Sequence, residues 1–198
     1  MNHLKEEKTV VIVKPDGVKR GLIGEIIKRI EQRGLKIIAL KMIWPSKDEM
    51  DKHYPKDREW ITNLGQNLIR AKDEYKIEMN LQKEYGTEDI HEIGKMVREW
   101  LVDFMVSGPM IKMIIQGIHA IKMVRKIVGH TIPSFAEMGT IRGDYSVDSP
   151  AVANPAKRAV HNLIHASGNT KEAEHEMDLW FSKDEIHEYK RAEEDIMF

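Results

Sequence analysis

The chain has 198 residues, enough for one ordinary domain with a true core or one domain carrying a sizeable insertion. Its 31 Lys plus Arg offset 32 Asp plus Glu, leaving a formal charge of -1, so no global field draws in nucleic acid or membrane and any anion site has to be local. With no cysteine, it can build neither a disulfide framework nor a thiolate metal cluster, which fits a reducing compartment.

Residues 1–8 are polar and charged, without the apolar core of a signal peptide, and no later stretch approaches the length of a membrane span. The expected location is the cytoplasm. Thr9 to Val13 is a β-branched run ended by Lys14-Pro15-Asp16-Gly17, where a strand is predicted to stop in a tight turn beside a lysine. Leu22, Ile23, Ile26, Ile27 and Ile30 keep helical spacing, and Gly34 is placed to end that helix. Leu35 to Trp44 reads as a second strand stopped by Pro45, after which Ser46 caps a short helix.

Tyr54 to Gly108 carries no strand signal. Ile90, Ile93, Val97, Leu101 and Phe104 predict one helix, and further helices are expected over Trp60 to Arg70 and Asp73 to Tyr85. After Ser107-Gly108-Pro109 the sheet resumes, with a strand over Met110 to Gln116, a helix over Ala120 to Val128 and a fourth strand over Ala159 to His165. Asn169 is expected to cap a last main helix, with Glu172 at the reciprocal capping-box position. The order β-α-β, helices, β-α-β predicts an α/β (α+β) fold. Its form is a ferredoxin-like four-stranded antiparallel sheet covered by helices, with a helical insertion before the third strand.

The predicted fourth strand delivers His165 to the turn before that helix, whose N-terminal amides suit anions. Neutral imidazole is a nucleophile near physiological pH and can accept a phosphoryl group and pass it on. It needs an acceptor on one ring nitrogen so that the other can attack, and Glu176, two turns into the helix, can fold back to supply it. His161 and His165 have the spacing of a helical zinc pair, but Asn162-Leu163-Ile164 between them lacks the zincin glutamate, and on a strand the two would stand about 13 Å apart. Lys14, Arg125 and Arg142 each fall near the end of a predicted element, and a triphosphate needs several such partners.

Val13-Lys14-Pro15-Asp16-Gly17-Val18 with Arg20-Gly21, then Gly139-Thr140-Ile141-Arg142-Gly143-Asp144, then Asn162-Leu163-Ile164-His165-Ala166-Ser167, resemble the nucleoside diphosphate kinase family in order and spacing. The resemblance covers Thr9 to about Phe181 apart from the helical excursion. It implies a single kinase domain over 1–198 with an insertion at about 65–98. The implied activity is ping-pong transfer between nucleoside triphosphates and diphosphates, with Mg2+ bound through the nucleotide phosphates and no direct protein ligand. By position, His165 resembles the phosphorylated nucleophile, Glu176 the carboxylate that orients it and Ser167 the serine beside it. Lys14, Tyr54, Arg125, Thr131 and Arg142 look like the phosphate-side residues, and Asn162 like the residue that meets the sugar hydroxyls. Trp60 is similar to an aromatic that stacks on the base, where the family usually has Phe, and Leu64 to its apolar neighbour.

The connection from Leu64 to Ser107 is longer than is usual in the family, and the inserted stretch is expected to pack over the nucleotide edge or against a neighbouring subunit. Gly129 to about Met138 resembles the segment that joins subunits in family oligomers, which implies a homo-hexamer or homo-tetramer. The rival reading is an RNA-recognition domain, which needs exposed aromatics on two strands and a basic face. The predicted strands offer Trp44 as their only aromatic, so neither membrane nor nucleic acid is an expected partner.

Overall fold

Four strands form one sheet in the order β2-β3-β1-β4, antiparallel at every junction: β1 (Glu6–Val13), β2 (Lys36–Ile43), β3 (Met110–Ile118) and β4 (Ile164–Ala166). The computed structural model describes residues 6–192 and 194–197. The chain divides into two units, one of Met1–Trp44, Pro109–Val147 and Asn162–Phe198, the other of Pro45–Gly108 and Asp148–His161.

The first unit holds the sheet. Val10 to Val13 of β1 are all buried, because this central strand is covered on both faces and therefore reads as a continuous apolar run. Val11, Val13, Ile111, Met113 and Ile115 face one core, packed by Ile26 and Ile30 of α2 (Ile23–Gln32) and by Val124 and Val128 of α7 (Ala120–Val128). Gly34, at φ +80°, ends α2 as expected. α10 (Thr170–Trp180) is capped by Asn169, whose side chain accepts from the Glu172 amide. The predicted capping box is not closed: Glu172 turns its carboxylate to the Gly168 amide at 2.6 Å.

Two other expectations in this unit are corrected. The Pro15-Asp16-Gly17 turn is a short helix, α1 (Pro15–Lys19), because Pro15 presets the first helical φ and Asp16 lies in the first turn. The fourth strand is Ile164–Ala166 alone, not Ala159 to His165. Leu163 has φ +69°, and its flanking carbonyls are taken by Arg142, so the segment before Ile164 cannot join a ladder.

The second unit is helical. A complete capping box at Ser46 and Glu49 starts α3 (Lys47–His53), and Asp57 caps α4 (Arg58–Glu74). The helix predicted over Asp73 to Tyr85 is not formed as one piece. α4 runs on through Glu74, Lys76 takes φ +52°, and Asn80 starts the separate α5 (Leu81–Tyr85). α6 (Ile90–Met105) crosses α4 where Gly65 and Gly94 meet. A Cβ on Gly65 would lie 2.0 Å from the Ile90 carbonyl oxygen, and one on Gly94 2.0 Å from that of Ile61. Leu68, Met79, Tyr85 and Ile93 form the local core.

Candidate active site

The site grows from the segment that joins β4 to its neighbours. His165 pairs with Ile12 across the ladder and meets α10, from which Glu176 projects with 2% of its side chain exposed. His165 Nε2 and Glu176 Oε1 are 2.6 Å apart. The second carboxylate oxygen, Oε2, accepts from the Ser167 hydroxyl at 2.7 Å, and Ser167 Oγ in turn accepts from the Val10 amide at 3.1 Å. The carboxylate is thus aimed from both of its oxygens and tied to the central strand.

On the other side of the histidine the chain is held by cations. Arg142, on α8 (Ile141–Tyr145), donates from Nε to Asn162 O (3.1 Å), from Nη1 to Gly129 O (3.1 Å) and from Nη2 to Ile164 O (2.6 Å). Lys14 Nζ donates to Asn162 Oδ1 at 2.8 Å, and Asn162 Nδ2 donates to the Thr131 carbonyl at 2.8 Å. Leu163 between them closes a γ-turn, its neighbour Ile164 donating from N to Asn162 O at 2.8 Å. With positive φ this is the rarer, strained form, at a cost of about 1–3 kcal/mol. Asp16 Oδ2 accepts from the Leu163 amide (3.0 Å), and the Leu163 carbonyl accepts from the Lys14 amide (2.9 Å).

Burial of these charges moves their titration. Burial first and the Arg142 cation second lower the Lys14 ammonium to about 8, against the opposing pull of Asp16. Burial and Arg125 lower Arg142 to about 10. Burial, then the positive charge of Lys14, hold His165 well below the ordinary imidazole range, so the ring is neutral at pH 7. In neutral imidazole one nitrogen carries the proton; donation from Nε2 to Glu176 puts the lone pair on Nδ1. Arg125 is exposed on α7, beside Gly168, in an open cleft of about 560 Å³ lined also by Lys122, Lys126, Asn169 and Thr170.

Lys14, Thr131, Arg142 and Asn162 form one hydrogen-bonded set and His165, Ser167 and Glu176 a second, joined through the chain from Asn162 to Ser167, with Arg125 near enough to act on the charges of both. Tyr54, Trp60 and Leu64 belong to the helical unit. There the Tyr54 and Trp60 rings stack with centroids 6.0 Å apart and planes at 29°, and Leu64 follows Trp60 by one turn of α4. Arg98 secures the start of that arrangement, donating to the carbonyls of Asp51, Tyr54 and Pro55. Sequence reasoning singled out neither Asp16 nor Leu163 as site residues. Asp16 lies within a quoted motif, but its contact spans 147 residues.

A buried carboxylate orienting a neutral histidine, with cations gathered on a ferredoxin-like sheet, defines the class as an α+β phosphotransferase. The sequence pattern of nucleoside diphosphate kinase matches residues 7–64 and 78–186. A nucleoside diphosphate kinase of Pyrobaculum aerophilum is 47% identical over 180 residues, covering 91% of this chain and 97% of that protein. The crystal structure of an NDP kinase from Pyrobaculum aerophilum superposes with a TM-score of 0.89 at 45% identity, over 93% of this chain and 100% of that one. A Borrelia burgdorferi nucleoside-diphosphate kinase, solved as a transition-state mimic with bound vanadate and ADP, gives 0.75 at 34% identity, over 96% and 95%. The chain belongs to the nucleoside diphosphate kinase family.

Proposed function

We propose that the chain moves the terminal phosphoryl group of a nucleoside triphosphate to a nucleoside diphosphate by a ping-pong mechanism through a phosphohistidine on His165, maintaining NTP and dNTP pools. The observation that carries this reading is the 2.6 Å contact of His165 Nε2 with the buried Glu176. In the first half-reaction Nδ1 attacks the γ-phosphorus. A P–N bond forms, the bond to the bridging oxygen breaks, and its electron pair leaves on the nucleoside diphosphate. The Nε2 proton stays against Glu176, whose charge balances the imidazolium. In the second half-reaction a terminal oxygen of another diphosphate attacks phosphorus and the electron pair returns to Nδ1. The vanadate and ADP bound by the Borrelia relative support this reading.

Lys14, Arg125, Thr131 and Arg142 meet the phosphates, a role that Tyr54 takes by its position in the sequence. Arg142 spends three N–H groups on carbonyls and retains capacity for phosphate oxygens, since a guanidinium carries five. Asn162 meets the sugar hydroxyls, while Trp60 with Leu64 holds the base by stacking that suits every base. Ser167 steadies Glu176. Both oxygens of Glu176 are engaged by His165 and Ser167, and Lys14 and Arg142 are cations. That donor set fits Mg2+ arriving on the nucleotide phosphates as part of the substrate, where it neutralises charge. Among the described residues no helix is long and apolar enough to cross a membrane. The protein is assigned to the cytoplasm and, through Gly129 to Met138, to a homo-hexamer or homo-tetramer.

Steady-state kinetics test the ping-pong order. Initial rates for ATP and a different nucleoside diphosphate with Mg2+ present, taken at several fixed ATP concentrations, should give parallel double-reciprocal lines. Lines that intersect would exclude the covalent route.

A further inference from the structure

The turn at Leu163 decides which way the chain enters the histidine strand. Leu163 and Ile164 are consecutive, yet both lie in the same core. Regular strand geometry forbids this, because successive side chains alternate between faces. The positive φ of Leu163 breaks the alternation, and His165 then takes the face opposite Ile164, where Glu176 meets it. The position of the imidazole therefore depends on a conformation that leucine resists.

Groups from two directions hold that conformation. Arg142 binds the carbonyls on either side of Leu163, and the loop after β1 binds Leu163 itself. The Lys14 amide donates to its carbonyl, and Asp16 Oδ2 accepts from its amide at 3.0 Å. The loop is seated closely, since a Cβ on Gly17 would lie 2.9 Å from the Leu163 oxygen. Asp16 is half-buried, and its other oxygen, Oδ1, is enclosed and makes no hydrogen bond, so the bond to Leu163 is the one the carboxylate makes. A half-buried carboxylate with one oxygen enclosed and unbonded needs a reason to be there.

We propose that Asp16 is a positioning residue for His165: by accepting the Leu163 amide it locks the γ-turn that aims the imidazole. This rests on the reading of His165 as nucleophile. The competing role, balancing the charges of Lys14 and Arg142, makes a different prediction, because Asp16→Asn keeps an oxygen for the Leu163 amide and removes the charge.

The test is single-turnover phosphorylation of the full chain by saturating ATP and Mg2+, followed by quench flow and intact mass. Nucleotide affinity is measured alongside, and exchange protection of the Leu163 amide by NMR. Asp16→Ala should slow adduct formation about tenfold to a hundredfold, the scale of a misplacement near 1 Å, while nucleotide affinity stays within about threefold. Asp16→Asn should restore most of the rate and keep Leu163 protected. An unchanged rate in Asp16→Ala, a loss confined to affinity, or equal losses in folded Asp16→Ala and Asp16→Asn would overturn the assignment. Should Asp16→Ala not fold, Asp16→Asn decides alone: lost Leu163 protection at a wild-type rate overturns it, and retained protection with a retained rate supports it. No adduct on wild type would bring down the nucleophile reading and this role with it. A wild-type adduct formed at the same rate in Asp16→Ala removes the positioning role only.

Discussion

Glu176 divides its two oxygens between His165 and Ser167, so replacing it by Gln keeps the volume and removes the charge. Without that charge the imidazolium formed on phosphoryl attack is not balanced, and one of the two contacts meets an amide NH2. Glu176→Gln should therefore slow His165 phosphorylation by about a hundredfold or more, with nucleotide affinity retained, as rapid-quench and equilibrium binding would measure. Lys14 gives the pH dependence. Its ammonium titrates near 8 in the folded chain against 10.5 as an unperturbed side chain, so between those values the unfolded chain binds more protons and stability rises with pH. Denaturant unfolding at pH 8, 9 and 10 should show that rise, and Lys14→Met should flatten it. Phosphate binding favours the charged amine, so ADP affinity should fall as pH climbs above about 8. Most of these residues were legible in the sequence, because His165, Arg142 and Lys14 sit in short local motifs. Asp16 and Leu163 were not read as a pair, since nothing in a linear pattern announces a bond across 147 residues or a leucine at positive φ.

At the scale of elements, the crossing of α4 and α6 is the most exacting contact in the helical unit. Gly94→Ala puts a methyl 2.0 Å from the Ile61 carbonyl oxygen, a backbone atom that cannot rotate away, so the helices must separate. The expected cost is about 1–3 kcal/mol or more, seen as a lower denaturation midpoint, while an alanine at the open Gly24 should be nearly neutral. Periodicity gave α2, α6 and α7 almost to the residue, because each buries one apolar stripe. It misread Ala159 to Leu163 as strand because a short run with apolar residues at its ends looks alike whether its carbonyls join a ladder or, like that of Asn162, are claimed by Arg142. Asp73 to Tyr85 failed for a related reason: helical composition continues across Lys76, where the backbone leaves the helix.

For the whole molecule, strand order and the helical insertion before β3 follow from the alternation of elements, whereas the division into two units does not. Asp148–His161 joins the helical unit although it lies far along the chain from Pro45–Gly108, and only tertiary packing reveals that. Phe135 and Met138, both exposed, lie in the segment assigned to subunit contact. Sedimentation equilibrium should give four or six times the 23.0 kDa chain mass, and Phe135→Ser should lower it; a wild-type monomer would contradict that assignment.

The central claim is covalent, and intact-protein mass tests it most directly. Wild type and His165→Ala are exposed briefly to ATP and Mg2+, and a second nucleoside diphosphate is then added. An acid-labile phosphoryl adduct on wild type alone, discharged by the diphosphate, is the predicted result. A folded wild type with no adduct, or an adduct of equal yield in His165→Ala, would contradict it.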